Sequence, residues 1–157
     1  VEIGEKEGEF IREYRPVLNT QIPKAEDWHK WEVHEIDNRP FCINGVEIIP
    51  IRGMHYKLPV LGFRFGNIAY CTDMNHIPEE EFEKLKGLEH FVINTVRYGK
   101  HISHFSLEEA VAVAQKVGAK HSWLTHLSHQ LPCYTDLSAE LPDGILPAYD
   151  GLTITAQ

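Results

Sequence analysis

The segment from His101 to His129 constrains this chain more than any other, because it sets His101, His104, His121, His126 and His129 around a single helix and a single strand. Ser106 followed at the N3 position by Glu109 is a capping box: the serine hydroxyl accepts from the N3 amide while the glutamate reaches back to the cap amide. The spacing predicts a helix from that point, since Leu107, Ala110, Val111, Ala114 and Val117 recur at three- and four-residue intervals and Gly118 is placed to end it as a left-handed C′ residue. Lys120 to Thr125 follows as a short strand. His104 then stands just ahead of a helix N-terminus. His126 stands just past the C-terminal end of a strand, where open α/β sheets place ligands and catalytic groups.

At 157 residues the chain holds one core and is short for two, so a single domain is expected. Lys and Arg number 15 against 23 Asp and Glu, and the resulting charge of −8 argues against a broad nucleic-acid surface and for small substrates. Cys42, Cys71 and Cys133 are widely separated and odd in number, which fits neither a disulfide framework nor a zinc ribbon and points to reduced thiols in a cytoplasmic setting. No apolar run approaches membrane-spanning length, so no membrane partner is expected. The opening Val1 to Glu9 carries neither a start signal nor a periodic pattern and reads as a processed or truncated end.

Along the chain, a short helix is predicted around Glu9 to Tyr14, and Trp31 to Ile36 alternates as a half-buried strand would. Phe41 to Ile43 and Val46 to Ile51 form a hairpin through Asn44-Gly45, and Leu61 to Phe65 pairs with Ile68 to Thr72 through Gly66-Asn67. Pro78 opens an acidic helix, Glu79 to Lys86, whose charges form a solvated face and whose leading glutamates suit the positive end of the helix dipole. His90 to Val96 is apolar and β-branched enough for a buried strand. Asp136 to Glu140 is a short helix, and Ile145 to Ala148 and Leu152 to Thr155 close the chain through Asp150-Gly151. This order implies a mixed sheet covered by helices on at least one face.

Four of these strands lead into a group that can bind a metal or move a proton: His55, Asp73, His104 and His126. Imidazole nitrogen with carboxylate oxygen suits Zn²⁺, Mn²⁺ or Fe, and an aspartate can bridge two ions. A hydrolytic metal centre is the natural hypothesis. His29, His34, His76, His90 and His121 read as structural or solvated, and Trp28, Trp31 and Trp123 as packing aromatics.

Met54-His55 with Leu61-Gly-Phe63, Ala69-Tyr-Cys-Thr-Asp73, His104-Phe-Ser-Leu-Glu-Glu-Ala110, Leu124-Thr-His-Leu-Ser-His129 and Tyr149-Asp-Gly-Leu152, in that order, resemble the C-terminal half of the metallo-β-lactamase-fold hydrolases. The nearest branch is similar to the phosphoribosyl 1,2-cyclic phosphodiesterases, with the tRNA 3′-processing endonucleases as cousins. The resemblance covers about residues 45 to 157. It implies an α/β (α+β) fold, the C-terminal half of an αβ/βα sandwich with a mixed sheet. It also implies two divalent ions, Zn or Mn, in the intact protein and a small, cyclic phosphodiester as substrate. By the same resemblance His55 is a ligand of one metal, Asp73 the bridging carboxylate and His126 a ligand of the second. His104 stands beside the scissile phosphate as proton donor or hydrogen-bond clamp, and His129 belongs to a separate structural zinc site, whereas His101, Arg97 and Lys100 receive no role.

The His-X-His-X-Asp-His segment that this family carries in its first half does not occur in the sequence, nor do the cysteines that would accompany His129. The expectation is therefore a C-terminal part of the domain with the N-terminal half absent, holding at most one ion, hydrolysing slowly or not at all by itself, and self-associating through exposed sheet. A different class of reading is a non-catalytic metal-binding or assembly module. A tRNA 3′-processing nuclease is disfavoured by the acidic charge.

Overall fold

The computed structural model describes residues 3–6, 9–12 and 34–155, and the chain divides into two compact units, Val1–Glu35 and Ile36–Gln157. In the first, β1 (Ile3–Lys6) pairs antiparallel with β2 (Glu9–Arg12). Glu9–Arg12 is thus strand rather than the expected helix, because a neighbouring strand supplies the hydrogen-bond partners that a single helical turn leaves unmet; positions 13 and 14 of that expectation lie outside the described residues. His34–Ile36 lies outside any strand, and residues 31–33 of that expected strand are outside the described residues.

The second unit is built on one seven-stranded sheet in the order β3 (Phe41–Ile43), β4 (Val46–His55), β5 (Leu58–Phe65), β6 (Ile68–Cys71), β7 (His90–Asn94), β8 (His121–Thr125), β9 (Ile145–Pro147). β3 to β6 form an antiparallel meander and β6 to β9 run parallel. The parallel half needs crossovers, which antiparallel pairs do not. These carry a 3₁₀ helix (Glu79–Leu85), α1 (Leu107–Val117) and α2 (Tyr134–Glu140). The Asn44-Gly45 hairpin forms as expected, with both residues at positive φ, 49° and 82°. β4 and β5 run further than the sequence pattern showed and meet through Tyr56-Lys57, a turn with no glycine in which Tyr56 itself takes φ 58°. Leu152–Thr155 forms no strand.

One buried cluster joins Ala69, Cys71, Phe91, Ile93 and Leu124 of the sheet to Leu107, Ala110 and Ala114 of α1 and Leu137 of α2. The α1 caps are those the sequence specified: Ser106 Oγ accepts from the Glu109 N–H at 3.3 Å, Glu109 Oε2 accepts from the Ser106 N–H at 2.9 Å, and Gly118 closes the helix at φ 66°. Ser106→Ala is expected to cost about 1 kcal/mol, read as a lower urea midpoint at unchanged m-value.

β3 is too short to cover the edge of β4, and residues 75–84 complete it. The Met54 N–H donates to His76 O at 2.9 Å and Asn75 N–H to Met54 O at 2.7 Å. The Arg52 N–H donates to Glu81 Oε2 at 3.0 Å, and Lys84 Nζ donates to Pro50 O at 2.9 Å. Such pairing removes an open edge that would otherwise template association. The acidic segment is thus a 3₁₀ helix rather than a helix with a wholly solvated face: the Glu81 side chain is 2% exposed, held by Arg52 and Lys84. Among the described residues no helix is long and apolar enough to cross a membrane.

Candidate metal centre

β4 and β6 run in the same direction because each is antiparallel to β5, and β6, β7 and β8 are mutually parallel. The C-terminal ends of β4, β6 and β8 therefore lie along one margin of the sheet. His55 is the last residue of β4, Asp73 follows β6, and His126 immediately follows β8. His104 enters on the segment between β7 and the Ser106 cap of α1.

Asp73 and His126 both occupy the left-handed region, at φ 55° and 62°. A non-glycine residue there costs on the order of 1–3 kcal/mol and persists only where its surroundings hold it. The end of β7 braces both turns. The Met74 N–H, just after Asp73, donates to Oδ1 of the fully buried Asn94 at 3.0 Å. The Thr95 N–H donates at 2.8 Å to the carbonyl of Thr125, just before His126.

Ligand atoms of Asp73, His104 and His126 all lie within 4.8 Å of one another. His104 Nε2 is 3.2 Å and His126 Nδ1 3.4 Å from the same Asp73 Oδ1. The His104 ring stacks on His126, with centroids 4.7 Å apart and planes 15° apart, and meets the His55 ring edge-on at 4.8 Å. The structure so brings together the four residues expected from the strand ends, with His55 reaching the cluster through the His104 ring. His129 is exposed three residues beyond His126, and among the described residues no three-ligand group includes it. Sequence reasoning passed over Asn94, which braces the Asp73 turn, and the His101–Ser103 pair, which contacts His104 Nδ1. For the latter the His-X-X-His spacing was the available signal.

Burial pushes the His104 pKa below its ordinary value; the hydrogen bond and charge of Asp73 oppose this, and the neighbouring His126 and His55 add to it. The shift favours the neutral imidazole, the form that binds metals. Cys71, near the end of β6, is no ligand candidate: burial, with a further contribution from the Glu81 charge, pushes its thiol up to about 12. A buried, protonated thiol is inert. One carboxylate oxygen and two imidazoles make a borderline donor set that fits Zn²⁺ or Mn²⁺, and three protein donors plus an open position is the count a catalytic zinc uses. The described residues fit one ion.

Residues 10–127 match the family model of the beta-lactamase superfamily domain. An octanoyltransferase of Porphyromonas gingivalis (strain ATCC BAA-308 / W83) is 40% identical over 114 residues, which are 72% of this chain and 23% of that protein. Among solved structures, a diphosphatase from the PhnP family superposes with a TM-score of 0.75 at 36% identity, over 77% of this chain and 47% of that one. The metallo-beta-lactamase fold protein YhfI from Bacillus subtilis superposes with a TM-score of 0.65 at 16% identity, over 82% and 60% of the two chains, and shows the fold alone. The chain thus spans about a quarter of the transferase and about half of the diphosphatase. With the family model matched over most of its length and its mixed sheet shared with these neighbours, the chain belongs to the beta-lactamase superfamily.

Proposed function

We propose that this chain is one ligand-bearing part of a metal-dependent hydrolase, a phosphodiesterase acting on a small phosphodiester. The observation that carries the reading is the convergence of Asp73, His104 and His126 within 4.8 Å at the strand ends. The 36% identity to a diphosphatase supports phosphoryl chemistry. A divalent ion held there supplies Lewis-acid polarisation of a phosphoryl oxygen and offsets developing charge.

Asp73 and His126 would hold the ion, with Asp73 the only anionic donor in the group. His104 would be the third donor in this chain, because its Nε2 faces Asp73 Oδ1 directly, whereas His55 is outside the three-ligand group and meets the His104 ring edge-on. In a protein of the relatives' length, further donors would complete a pair of ions; His104 would then face the phosphate and move a proton there, and His55 would join the ligand set.

The test is isothermal titration of the 157-residue chain with Zn²⁺ and Mn²⁺, beside bis-p-nitrophenyl phosphate turnover by this chain and by a protein of the relatives' full length. One weakly bound ion with little turnover is expected of the chain, and metal-dependent turnover of the longer protein. Absence of any binding would remove the metal centre. The second reading, a non-catalytic metal-binding or assembly module, is favoured by the three-donor group, which suits one ion rather than a pair. Metal binding without hydrolysis in either protein would establish it.

A further inference from the structure

The segments that carry His55, Asp73 and His104 are joined by one side chain, that of Asn75, two residues after Asp73. Asn75 Oδ1 accepts from the Tyr56 N–H at 3.0 Å, and Tyr56 directly follows His55. Asn75 Nδ2 donates to the Ile102 carbonyl at 3.1 Å, two residues before His104. Both partners are backbone groups with fixed roles, since an amide N–H only donates and a carbonyl only accepts. The side-chain amide is therefore oriented one way: turned over, it would set donor against donor and acceptor against acceptor.

The backbone of the same segment holds the opposite flank of each histidine. Before His55, the Met54 N–H donates to His76 O at 2.9 Å and the Asn75 N–H to Met54 O at 2.7 Å; after His104, the Phe105 N–H donates to Met74 O at 3.1 Å. Residues 74–76 thus grip His55 and His104 from both sides. The backbone bonds do not depend on which side chains stand there, whereas the Tyr56 and Ile102 flanks depend on Asn75. Tyr56 is also where a brace matters, because it is exposed and takes a left-handed φ of 58°, a conformation that persists in a non-glycine residue only where its surroundings fix it.

We infer that Asn75 is a positioning residue: by tying the Tyr56 turn to the Ile102 segment it sets His55 edge-on against His104 and holds both imidazoles in one relation to Asp73. Its effect on metal affinity rests on the metal-centre reading, but the ring geometry belongs to the ion-free chain. Removing the side chain leaves the Phe105 to Met74 bond and the contact of His104 with Asp73 in place. The His55–His104 pair, with ring centroids 4.8 Å apart, should therefore come apart while the His104–His126 stack at 4.7 Å stays.

The experiment measures nuclear Overhauser contacts between histidine ring protons and amide hydrogen exchange in the metal-free 157-residue chain, followed by zinc titration. Wild type is expected to show both ring pairs and a protected Tyr56 amide. In Asn75→Ala the His55–His104 contacts should vanish and the His104–His126 contacts remain, with Tyr56 exchanging about 5-fold faster, as loss of one net hydrogen bond allows, and zinc bound about 10-fold more weakly, the lower end for a partner that orients a ligand. Asn75→Asp keeps the acceptor and loses the donor, so it should restore slow Tyr56 exchange without restoring the full His55–His104 contacts. Unchanged His55–His104 contacts in Asn75→Ala overturn the inference, as does loss of both ring pairs together, which a merely structural role would produce. If Asn75→Ala fails to fold, the other two proteins decide: Tyr56 protected in wild type and in Asn75→Asp supports the brace, and an unprotected Tyr56 in wild type ends it. Selective loss of the His55–His104 contacts in a chain that binds no zinc would uphold the positioning role while removing the metal centre, so the two readings fail separately.

Discussion

Asp73→Asn is expected to weaken divalent metal binding by more than the roughly 10–100-fold that loss of a supporting partner costs. Asp73 Oδ1 is approached by His104 Nε2 at 3.2 Å and by His126 Nδ1 at 3.4 Å, and it is the sole carboxylate of the group. Asparagine keeps the side-chain shape and accepts the left-handed φ of 55° as readily as aspartate does, so the Met74 to Asn94 brace should survive. What is lost is the charge. The check is zinc titration together with thermal unfolding: an ion at 100-fold its Kd stabilises the folded state by about 2.7 kcal/mol. Zinc should therefore raise the wild-type Tm and leave that of Asp73→Asn almost unmoved. Equal zinc affinity in the two proteins would take Asp73 out of the site.

Glu81→Ala is expected to destabilise the fold by about 3 kcal/mol, the lower end of what breaking a buried ion pair costs, because Lys84 and Arg52 retain access to water. The variant also strips an acceptor from the Arg52 N–H at the β4 edge. Burial alone would raise the Glu81 pKa, but hydrogen bonds from Lys84 and from the Arg52 side chain and N–H, with the Lys84 charge, outweigh it and bring the carboxyl from 4.5 to about 2. Since the folded value lies below the unfolded one, this contribution is fully present above about pH 4.5 and is lost as pH falls through about 2. Urea midpoints measured down that range should fall more steeply for the wild type than for Glu81→Gln, which does not titrate. Parallel curves would show that the pair contributes nothing to stability.

Local chemistry was sufficient where partners lie close in sequence. The Ser106 and Glu109 cap, the Gly118 stop and the Asn44-Gly45 turn each involve residues within about one turn of chain, so a single sequence specifies them. The positions of His55, Asp73, His104 and His126 at or beyond strand ends were legible for the same reason: strands are bounded by local patterns, and the common direction of β4, β6 and β8 then carries those ends to one margin.

Tertiary structure decided the rest, and in each case the deciding contact joins distant residues. Glu81 reads as one more charge in an acidic run until Arg52, 29 residues earlier, reaches it across the open β4 edge. The Tyr56-Lys57 turn carries no glycine signal, and it forms because the long β4–β5 register, from Ile49 opposite Arg64 to His55 opposite Leu58, closes around it. Nothing near Asp73 in the chain announces its left-handed backbone; the brace comes from Asn94, 20 residues beyond Met74, whose N–H it holds. The sequence by itself set residues of metal-binding type, His55, Asp73, His104 and His126, at or beyond the strand ends. Only the sheet decided that Asp73, His104 and His126 share one carboxylate oxygen, because that depends on pairing between strands whose order no local pattern encodes.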